Sequence, residues 1–499
     1  MNPIKKLAGQ TAIYGFSSLI GRFLNYLLTP LYTWLVFDPA EFGVVTELYA
    51  YVVFLLIFLT YGMETGYFRF MQNENERNVV FPTILITLLF TSAFFILIVF
   101  VFIAPISNFL EYQNFKEYIL ILAVIVAIDA FTSIPYAKLR YENKALRFAT
   151  FKLINICTNI GFNVLFLIVF PHLSIKYNFN CIEKYFIRDN MIIYVFISNL
   201  IASVVTLILF IPEFLKTKLI YSYRLILKVL PYSFPLLLAG LAGQTNEVLD
   251  RLLLKHFIIV PDGVDNSNAY IMAQIGIYGA NFKLAVIMTL FIQAFRYAFE
   301  PMFFGQANNA DSKLLYARIM KFFVIFCLFV FLLITLFLDI FKYLIGNKFH
   351  SGLHIIPVVL FANIFLGILY NLSLWYKITD KTKFGLVIAA FGAAVTIIFN
   401  LILIPRYGYT GSAWIHLICY TCMILLSYLL MRKYYFISYD LKDIGIYLLV
   451  GLGLFFIGYF IKFEITILKY LFHSFLLICF IIFVVLKEGI YKKFLYNES

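Results

Sequence analysis

The chain has 499 residues, of which 63% are hydrophobic and only 13% are charged. A soluble domain is about 45–50% apolar, so this composition excludes a soluble globular protein and predicts an all-α integral membrane protein. The formal net charge of +13 would suggest a nucleic-acid partner for a soluble protein. In a membrane protein the enrichment of Lys and Arg in cytoplasmic loops explains it, so no nucleic-acid partner is predicted.

Apolar runs of about 20 residues recur along the chain, which is the length a helix needs to cross about 30 Å of hydrocarbon. The first run continues without a cleavage site, so it is predicted to be a spanning helix and not a signal peptide. About fourteen transmembrane helices are predicted, at Ala12–Phe37, Phe42–Tyr67, Val79–Ser107, Tyr118–Ala137, Phe148–Pro171, Met191–Ile211, Leu230–Phe257, Tyr270–Phe299, Phe322–Ile340, Leu353–Tyr376, Phe384–Ile404, Gly411–Met431, Ile444–Ile461 and Ile465–Leu486.

The basic residues predict how these helices are oriented. With the N-terminus taken as cytoplasmic, 25 Lys and Arg fall on the cytoplasmic side, 10 fall outside, and four lie deep within helices, namely Arg22, Arg251, Lys283 and Arg296. In this count Lys152, Lys255 and Lys469, which lie near the ends of predicted spans, are assigned to the adjoining boundary. Because cytoplasmic loops carry the excess of basic residues, both termini are predicted to be cytoplasmic.

The first helix carries polar residues at mid-depth. Arg22 lies about 22 Å below the outer boundary at about 1.5 Å per residue, and Asn25 follows three residues later. An arginine at this depth requires a carboxylate, a water-filled cavity or an anionic ligand. Asp129 in the fourth helix lies at about 18 Å, so Arg22 and Asp129 are predicted to form a buried pair. Glu47 lies near the outer end of the second helix.

The seventh helix carries the densest cluster of polar residues within a predicted span. Two prolines and two glycines loosen its first half, and broken helices are tolerated in membranes where they line protein or a cavity. The cluster therefore predicts a functional site, although Arg251 and Glu247 are four residues apart and could simply neutralise each other. The cluster consists of Gln244, Glu247, Asp250 and Arg251.

Two short stretches recur at offsets of 225 and 233 residues. Leu24–Leu28 resembles Leu249–Leu253, and Phe42–Tyr51 resembles Ile275–Leu284, which opens the eighth helix and contains Lys283 at about 20 Å depth. Repeats separated by six helices are related by an axis along the membrane normal. The predicted domains are accordingly a six-helix lobe over residues 1–224, a second over 225–436, and two additional helices with a cytoplasmic tail over 437–499.

Three stretches carry a resemblance to bacterial polysaccharide exporters of the Wzx type: GRFLNYLLTPLYTWLVFDPAEFGVVTELYAYVVFLLIFLTYGMETGYFRF, LDRLLLKHF followed by IGIYGANFKLAVIM, and LWYKITDKTKFGLVIAAFGAAVTIIFNLILIPRYGYTGSAW. Such exporters share the multidrug/oligosaccharidyl-lipid/polysaccharide (MOP) superfamily with lipid II flippases and MATE transporters. The resemblance runs from about residue 10 to 430. It implies two six-helix lobes in a V-shaped, MATE-like arrangement, to which the last two helices are added.

The resemblance implies a flippase in the bacterial cytoplasmic membrane. Its substrate would be an undecaprenyl-diphosphate-linked oligosaccharide, moved by alternating access from the inner to the outer leaflet during synthesis of a surface polysaccharide such as O-antigen. Its partners would be this lipid-linked oligosaccharide, membrane lipids and glycan polymerases. No cofactor or metal site is predicted, and coupling to H⁺ or Na⁺ is left open.

The polar residues within the spans divide into two predicted roles. A diphosphate crossing a membrane requires cationic and hydrogen-bonding partners, and carboxylates would either bind a coupling ion or pair with the basic groups. The predicted substrate-binding residues are Arg22, Asn25, Gln244, Arg251 and Lys283, and the predicted ion-coupling or pairing residues are Glu47, Asp129, Glu247 and Asp250.

Two alternatives accompany this prediction. A MATE-like, cation-coupled drug antiporter would share the fold and the carboxylates, but fourteen helices and a mid-membrane Arg22 favour a lipid-linked glycan. A membrane-embedded polysaccharide polymerase or ligase would need catalytic groups on an external loop. The largest such loop, about His172–Asn190, has no recognisable constellation, so no enzymatic activity is predicted.

Overall fold

A computed structural model describes residues 15, 19–74, 76–177, 191–305, 312–379 and 381–489. In this part of the chain the secondary structure consists of helices, which turns and loops connect. We number the spanning helices α1 to α14. Their bounds are α1, residues 19–26 continued by Leu28–Pro30 and a π-helical turn Leu31–Val36; α2, Pro39–Thr60 continued by Met63–Phe70; α3, Arg77–Val101; α4, Lys116–Tyr141; α5, Ala145–Val164 continued through a π-helical turn to Tyr177; α6, Met191–Leu209; α7, Tyr223–Phe257; α8, Ser267–Gly305; α9, Ser312–Leu336; α10, Ile356–Leu372; α11 and α12, together Lys383–Tyr434; α13, Leu441–Phe460; and α14, Thr466–Lys487.

These bounds confirm the predicted all-α membrane fold. Twelve helical segments among the described residues are long and apolar enough to cross a membrane. The segment Lys383–Tyr434 has 52 residues, about 78 Å at 1.5 Å per residue, and it is kinked at Gly408, whose φ is 55°. It therefore supplies two spans. With α1, which is partly outside the described residues, the total is the predicted fourteen.

The chain packs as two compact units. The first comprises Met1–His256 and Asp262–Gly276, and the second comprises Phe257–Pro261 and Ile277–Ser499. By packing, α7 thus belongs with the first six helices. The predicted lobes, 1–224 and 225–436, follow the sequence repeat and not the packing, and that division stays a prediction.

A break in α2 brings α7 into close contact within the first unit. Tyr61 and Gly62 both have positive φ, 30° and 73°, and the helix resumes at Met63. A Cβ on Gly62 would lie 2.8 Å from the backbone oxygen of Ser233, and one on Gly66 would lie 2.8 Å from the Ser233 hydroxyl. Small residues four apart therefore let α7 approach α2 closely, as in other membrane helix pairs.

A second close crossing joins α2 to the beginning of α8, also within the first unit. A Cβ on Gly43 would lie 1.9 Å from the backbone oxygen of Met272, and a Cβ on Gly276 would lie 1.9 Å from that of Pro39. The two contacts are reciprocal and share the 233-residue offset of the sequence repeat. The two aligned glycines thus face each other across the crossing.

In the second unit, α13 packs along α9, and α14 packs on both of them. Leu328 and Leu336 of α9 pack closely against Gly451 and Gly458 of α13, where a Cβ would clash with them. At the end of α9 nearest its N-terminus, Lys321 contacts the carboxylate of Glu488 at 2.8 Å. The last two helices are therefore packed onto the second unit.

Candidate functional site

Arg22 and Asn25 in α1 are both exposed. They are three residues apart, so they lie on one face of the helix. Contact of an arginine with lipid at mid-depth is costly, and such residues normally face a bundle interior or a water-filled cavity. A cavity-facing position for both exposed side chains is therefore the expectation, and their role in substrate binding stays a prediction.

The predicted pair of Arg22 and Asp129 is wrong. Asp129 accepts a hydrogen bond from the Ser203 hydroxyl of α6 at 2.8 Å, and Lys152 of α5 lies within electrostatic range of its carboxylate. Among the described residues, no ion pair joins Arg22 to a carboxylate. Similar depth was the only basis for the prediction, and depth does not determine which side of a helix a residue faces.

Lys152 belongs to a polar interior of the first unit that sequence reasoning missed. Its ammonium lies 4.2 Å from the ring centroid of Tyr136 in α4. One turn further along α5, the Asn155 amide donates to Thr206 Oγ1 at 2.9 Å and to the Ala202 carbonyl at 3.0 Å. These contacts tie α5 to α6 beside Asp129. The available signal was Lys152 itself, since it lies inside the predicted span Phe148–Pro171 and not in the loop before it.

The polar cluster of α7 is divided between two faces. One face is buried and carries Asn246, Asp250 and Leu254 at intervals of four residues. The other face is partly buried and carries Gln244, Glu247 and Arg251. Residues spaced by three or four positions share a helix face, so the predicted substrate-binding residues of α7 lie on the less tightly packed side.

Arg251 is held by its own helix. Its guanidinium donates to the backbone carbonyl of Glu247 at 2.8 Å and lies 3.6 Å from the Asp250 carboxylate. The Asp250 side chain also accepts from the Arg251 backbone N–H at 2.9 Å. Asp250 is thus a pairing carboxylate, and the guanidinium is fixed in position before any ligand arrives.

Glu47 lies in a buried ion pair whose basic member was not predicted. Lys255 of α7 contacts Glu47 at 3.1 Å, and the two side chains are 3% and 0% exposed. The Tyr112 hydroxyl donates to Glu47 at 2.6 Å, and the Lys255 ammonium donates to the Leu110 carbonyl at 2.6 Å. Burial, and then the Glu47 charge, raise the pKa of Tyr112 well above its ordinary value, so this hydroxyl stays a donor.

Lys255 was overlooked because it lies near a helix end, where a lysine can extend to the water on its long stem. The available signal was Glu47, since a carboxylate inside a spanning helix requires a basic partner at its own depth. The structure thus shows Glu47 in an ion pair with Lys255, and its role in ion coupling or in structural pairing stays a prediction.

Lys283 lies on α8 in the second unit and is partly buried. Its neighbours Asn281 and Leu284 are fully buried, and the Asn281 amide donates to the Phe349 carbonyl at 2.9 Å. Lys283 therefore lies beside, and not within, the packed side of α8. Its predicted cooperation with Arg22 and Arg251 stays a prediction. Within the described ranges, no group of three or more His, Cys, Asp or Glu residues could hold a metal ion.

Comparisons with known proteins agree with this architecture. A family model described as polysaccharide biosynthesis protein matches residues 36–175. The solved structure of lipid II flippase MurJ in an inward closed conformation matches with a TM-score of 0.70 and 16% identity, over 95% of this chain and 99% of that one. No curated protein matches the chain.

Two MATE transporter structures match less closely. An inward-facing multidrug resistance transporter of the MOP superfamily has a TM-score of 0.61 and 14% identity, over 85% of this chain and 95% of that one. A Vibrio cholerae MATE transporter has a TM-score of 0.55 and 15% identity, over 87% of this chain and 99% of that one. The chain is therefore a multi-pass membrane protein with a transporter fold. Its fold is similar to that of MurJ and of the MATE transporters, which confirms the fold that the resemblance in the sequence implies.

Proposed function

We propose that this protein is a flippase that moves an undecaprenyl-diphosphate-linked oligosaccharide from the inner to the outer leaflet of the bacterial cytoplasmic membrane. Both termini are cytoplasmic in this proposal, and the protein transports its substrate without chemically changing it. Support comes from the fold shared with a lipid II flippase and from the polysaccharide biosynthesis family match over residues 36–175.

The observation that carries the proposal is the exposure of Arg22 on a spanning helix. A guanidinium presents a planar fork of donors that matches phosphate oxygens, and it keeps its charge at any physiological pH. At mid-depth such a group would attract a diphosphate headgroup and repel the cationic compounds that a drug antiporter exports.

The pairing of the carboxylates supports an anionic substrate. By sequence, four carboxylates faced three basic groups, which argued against a simply cationic cavity. In the structure Glu47 is buried against Lys255, and Asp250 is buried against Arg251. The first pair removes one carboxylate from that count, and the second removes one carboxylate and one basic group. Two carboxylates and two basic groups, Arg22 and Lys283, remain outside these pairs, so the excess of negative charge counted from the sequence is gone.

Asp129 is the carboxylate that we assign to coupling with H⁺ or Na⁺. It is joined to Ser203 by one hydrogen bond and has Lys152 within electrostatic range, which gives a carboxylate, a hydroxyl and a competing cation in one place. Binding of an ion at Asp129 would change its interaction with Lys152. Such a change could bias a transport cycle, provided that the two end states bind the ion with different affinities.

The test is reconstitution of the full chain into liposomes with a fluorescent undecaprenyl-diphosphate oligosaccharide, whose transfer is followed by chemical quenching from outside. Arg22→Ala should slow transfer by about 10- to 100-fold, the range expected for a charge-assisted hydrogen bond, and Arg22→Lys should recover part of the loss. Arg69→Ala is the matched control, because Arg69 is also exposed but lies at the cytoplasmic boundary. Equal rates for wild type and Arg22→Ala would contradict the proposal, as would gradient-driven export of a cationic dye without lipid transfer.

Arg251 permits a second test of the same site. Arg251→Lys should keep the charge and the pairing with Asp250 but lose bidentate recognition, so it should retain part of the transfer rate, and Arg251→Ala should retain less. Exchange of Glu247 and Arg251 separates this role from simple neutralisation. Full transfer by the exchanged pair, at normal protein levels, would show that Arg251 does not bind the substrate.

A further inference from the structure

A polar cavity of about 410 Å³ lies in the second unit, at the end of α9 that the predicted topology places outside. We call it the α9–α14 cavity. Its walls are the end of α9, the short segment after α9, the last part of α13, and the first turns of α14. Its volume falls within the range of about 300–1,000 Å³ that is typical of small-ligand sites. The lining residues used below are Asp339, Lys342, Tyr459, Lys462, Lys469 and His473.

The charges lining this cavity are predominantly positive. Asp339 accepts hydrogen bonds from Lys469 and from Lys342, the latter at 3.1 Å. Lys462 lies in the linker between α13 and α14 and is exposed, and among the described residues it forms no ion pair. One carboxylate thus faces three ammonium groups, so two positive charges are left uncompensated.

His473 of α14 is a buried polar residue in the lining of this cavity. Its side chain is only 3% exposed, and its ring is held by the backbone of Leu336 and Gly458 through hydrogen bonds that are looser than ordinary geometry. Buried polar groups are nearly always hydrogen-bonded to protein or water, because an unpaired one is costly. A loosely held imidazole in the lining of this cavity is therefore available to a polar ligand.

The start of α14 adds to the positive field. The residue before this 22-residue helix is Ile465, which offers no side-chain cap, and the first turn contains no acidic residue. The first N–H groups of a helix lack partners within it, and the helix dipole favours anions at this end. Nothing in the first turn therefore offsets the attraction of an anion.

We propose that the α9–α14 cavity binds the phosphate group of an anionic ligand, with a phospholipid headgroup as the expected source. The lysines and the buried imidazole that line the cavity are hydrogen-bond donors that suit phosphate oxygens. Tyr459 lines the cavity and is 63% exposed, and Ile465 and Leu468 at the beginning of α14 are 58% and 50% exposed. These side chains would contact acyl chains. The proposed site does not depend on which substrate the protein transports.

The experiment uses the full-length protein, purified in detergent and stripped of lipid, with bound lipid counted by native mass spectrometry. Phosphatidylglycerol is the anionic probe, phosphatidylcholine the zwitterionic one, and inorganic phosphate the competitor. Lys462→Ala should weaken phosphatidylglycerol binding by about five-fold, the contribution expected of one lysine near an anionic surface, and Lys462→Arg should bind like wild type. Because Lys462 forms no ion pair with the described residues, its loss should leave folding intact.

Lys442→Ala is the matched control, since Lys442 is exposed at the opposite end of α13. If inorganic phosphate displaces phosphatidylglycerol from wild type and this competition is lost in Lys462→Ala, the site belongs to free phosphate. If inorganic phosphate does not compete in wild type, the site belongs to the lipid. Equal binding of phosphatidylglycerol by wild type and Lys462→Ala would overturn the proposal. So would the same loss in Lys442→Ala, or equal affinity of the wild type for the two lipids.

Discussion

Removing one member of the buried pair Glu47 and Lys255 should destabilise the protein far more than removing both. Lys255→Met keeps the length of the side chain but leaves the Glu47 carboxylate buried without a counter-charge. Glu47→Gln leaves the buried ammonium with only the exposed Glu111 carboxylate at 3.8 Å, while the glutamine amide oxygen can still accept from Tyr112. In the double variant no charge is left buried, so much of the loss should be recovered.

The structure sets the magnitude. For unit charges 3.1 Å apart, Coulomb's law gives about 5 kcal/mol at an effective dielectric constant of about 20. Breaking a buried pair by removing one partner typically costs about 3–5 kcal/mol, because the remaining charge stays in a medium of low dielectric. We therefore expect each single variant to lose about 3–5 kcal/mol of unfolding free energy, and the double variant to lose less than either.

The measurement is the unfolding free energy of the purified protein, obtained from titration of a mild detergent with dodecyl sulfate and followed by tryptophan fluorescence. The matched control is the pair Lys228 and Glu76, whose side chains are 49% and 21% exposed. Exposed pairs contribute about 0–1 kcal/mol, so the same substitutions there should have little effect. Additive losses at Glu47 and Lys255, or losses as small as those at the control pair, would refute the structural role assigned to the buried pair.

Three further predictions follow from contacts described above. Gly276→Ala should cost at least about 1–3 kcal/mol of unfolding free energy, because its Cβ would lie 1.9 Å from a backbone oxygen. Gly243→Ala is the control and should be neutral or stabilising, because a Cβ there would have no neighbouring atom within 4 Å. Equal stability of the two variants would contradict the close crossing. Burial alone would raise the pKa of Asp339, but the hydrogen bonds from Lys469 and Lys342 outweigh it and hold the pKa below its ordinary 3.8. Its stabilising contribution should therefore be complete above that value and fade as the pH falls through the lowered pKa. The difference in thermal stability between wild type and Asp339→Asn should stay constant down to about pH 4 and shrink at lower pH, and a difference that persists unchanged in acid would argue against this role. Asp129→Asn should remove the dependence of lipid transfer on an imposed H⁺ or Na⁺ gradient, and unchanged gradient dependence would exclude Asp129 as the coupling group.

The helices could be predicted because the signal for a membrane span is local. Each apolar run shows by its own length and hydropathy that it can span a membrane. The kink at Gly408 lies in the short loop predicted between Phe384–Ile404 and Gly411–Met431. The repeat was also accessible, since Gly43 and Gly276 occupy equivalent places in two aligned stretches. The packing of α7 with the first unit could not be predicted from the sequence, because it depends on contacts between distant segments.

The partners of the charged residues were predicted less well. Depth along a helix can be counted from the sequence, but the direction in which a side chain points depends on helix rotation and packing. Arg22 and Asp129 agreed in depth and do not meet. Lys152 and Lys255 were assigned to the boundaries, where lysines are usually solvated, and the structure instead places them beside Asp129 and Glu47.

The reciprocal crossing of α2 and α8 has a consequence for how the two halves of the chain can evolve. Each glycine meets a backbone oxygen four residues before the other glycine, and a backbone oxygen cannot move away by rotating a side chain. A substitution at Gly43 could therefore be relieved only by shifting the main chain around Met272, and one at Gly276 only by shifting that around Pro39. If the halves arose by duplication, neither copy was free to diverge at this point without its sister. The crossing is then a place where the ancestral symmetry is enforced by steric exclusion, while the rest of the two copies could drift apart.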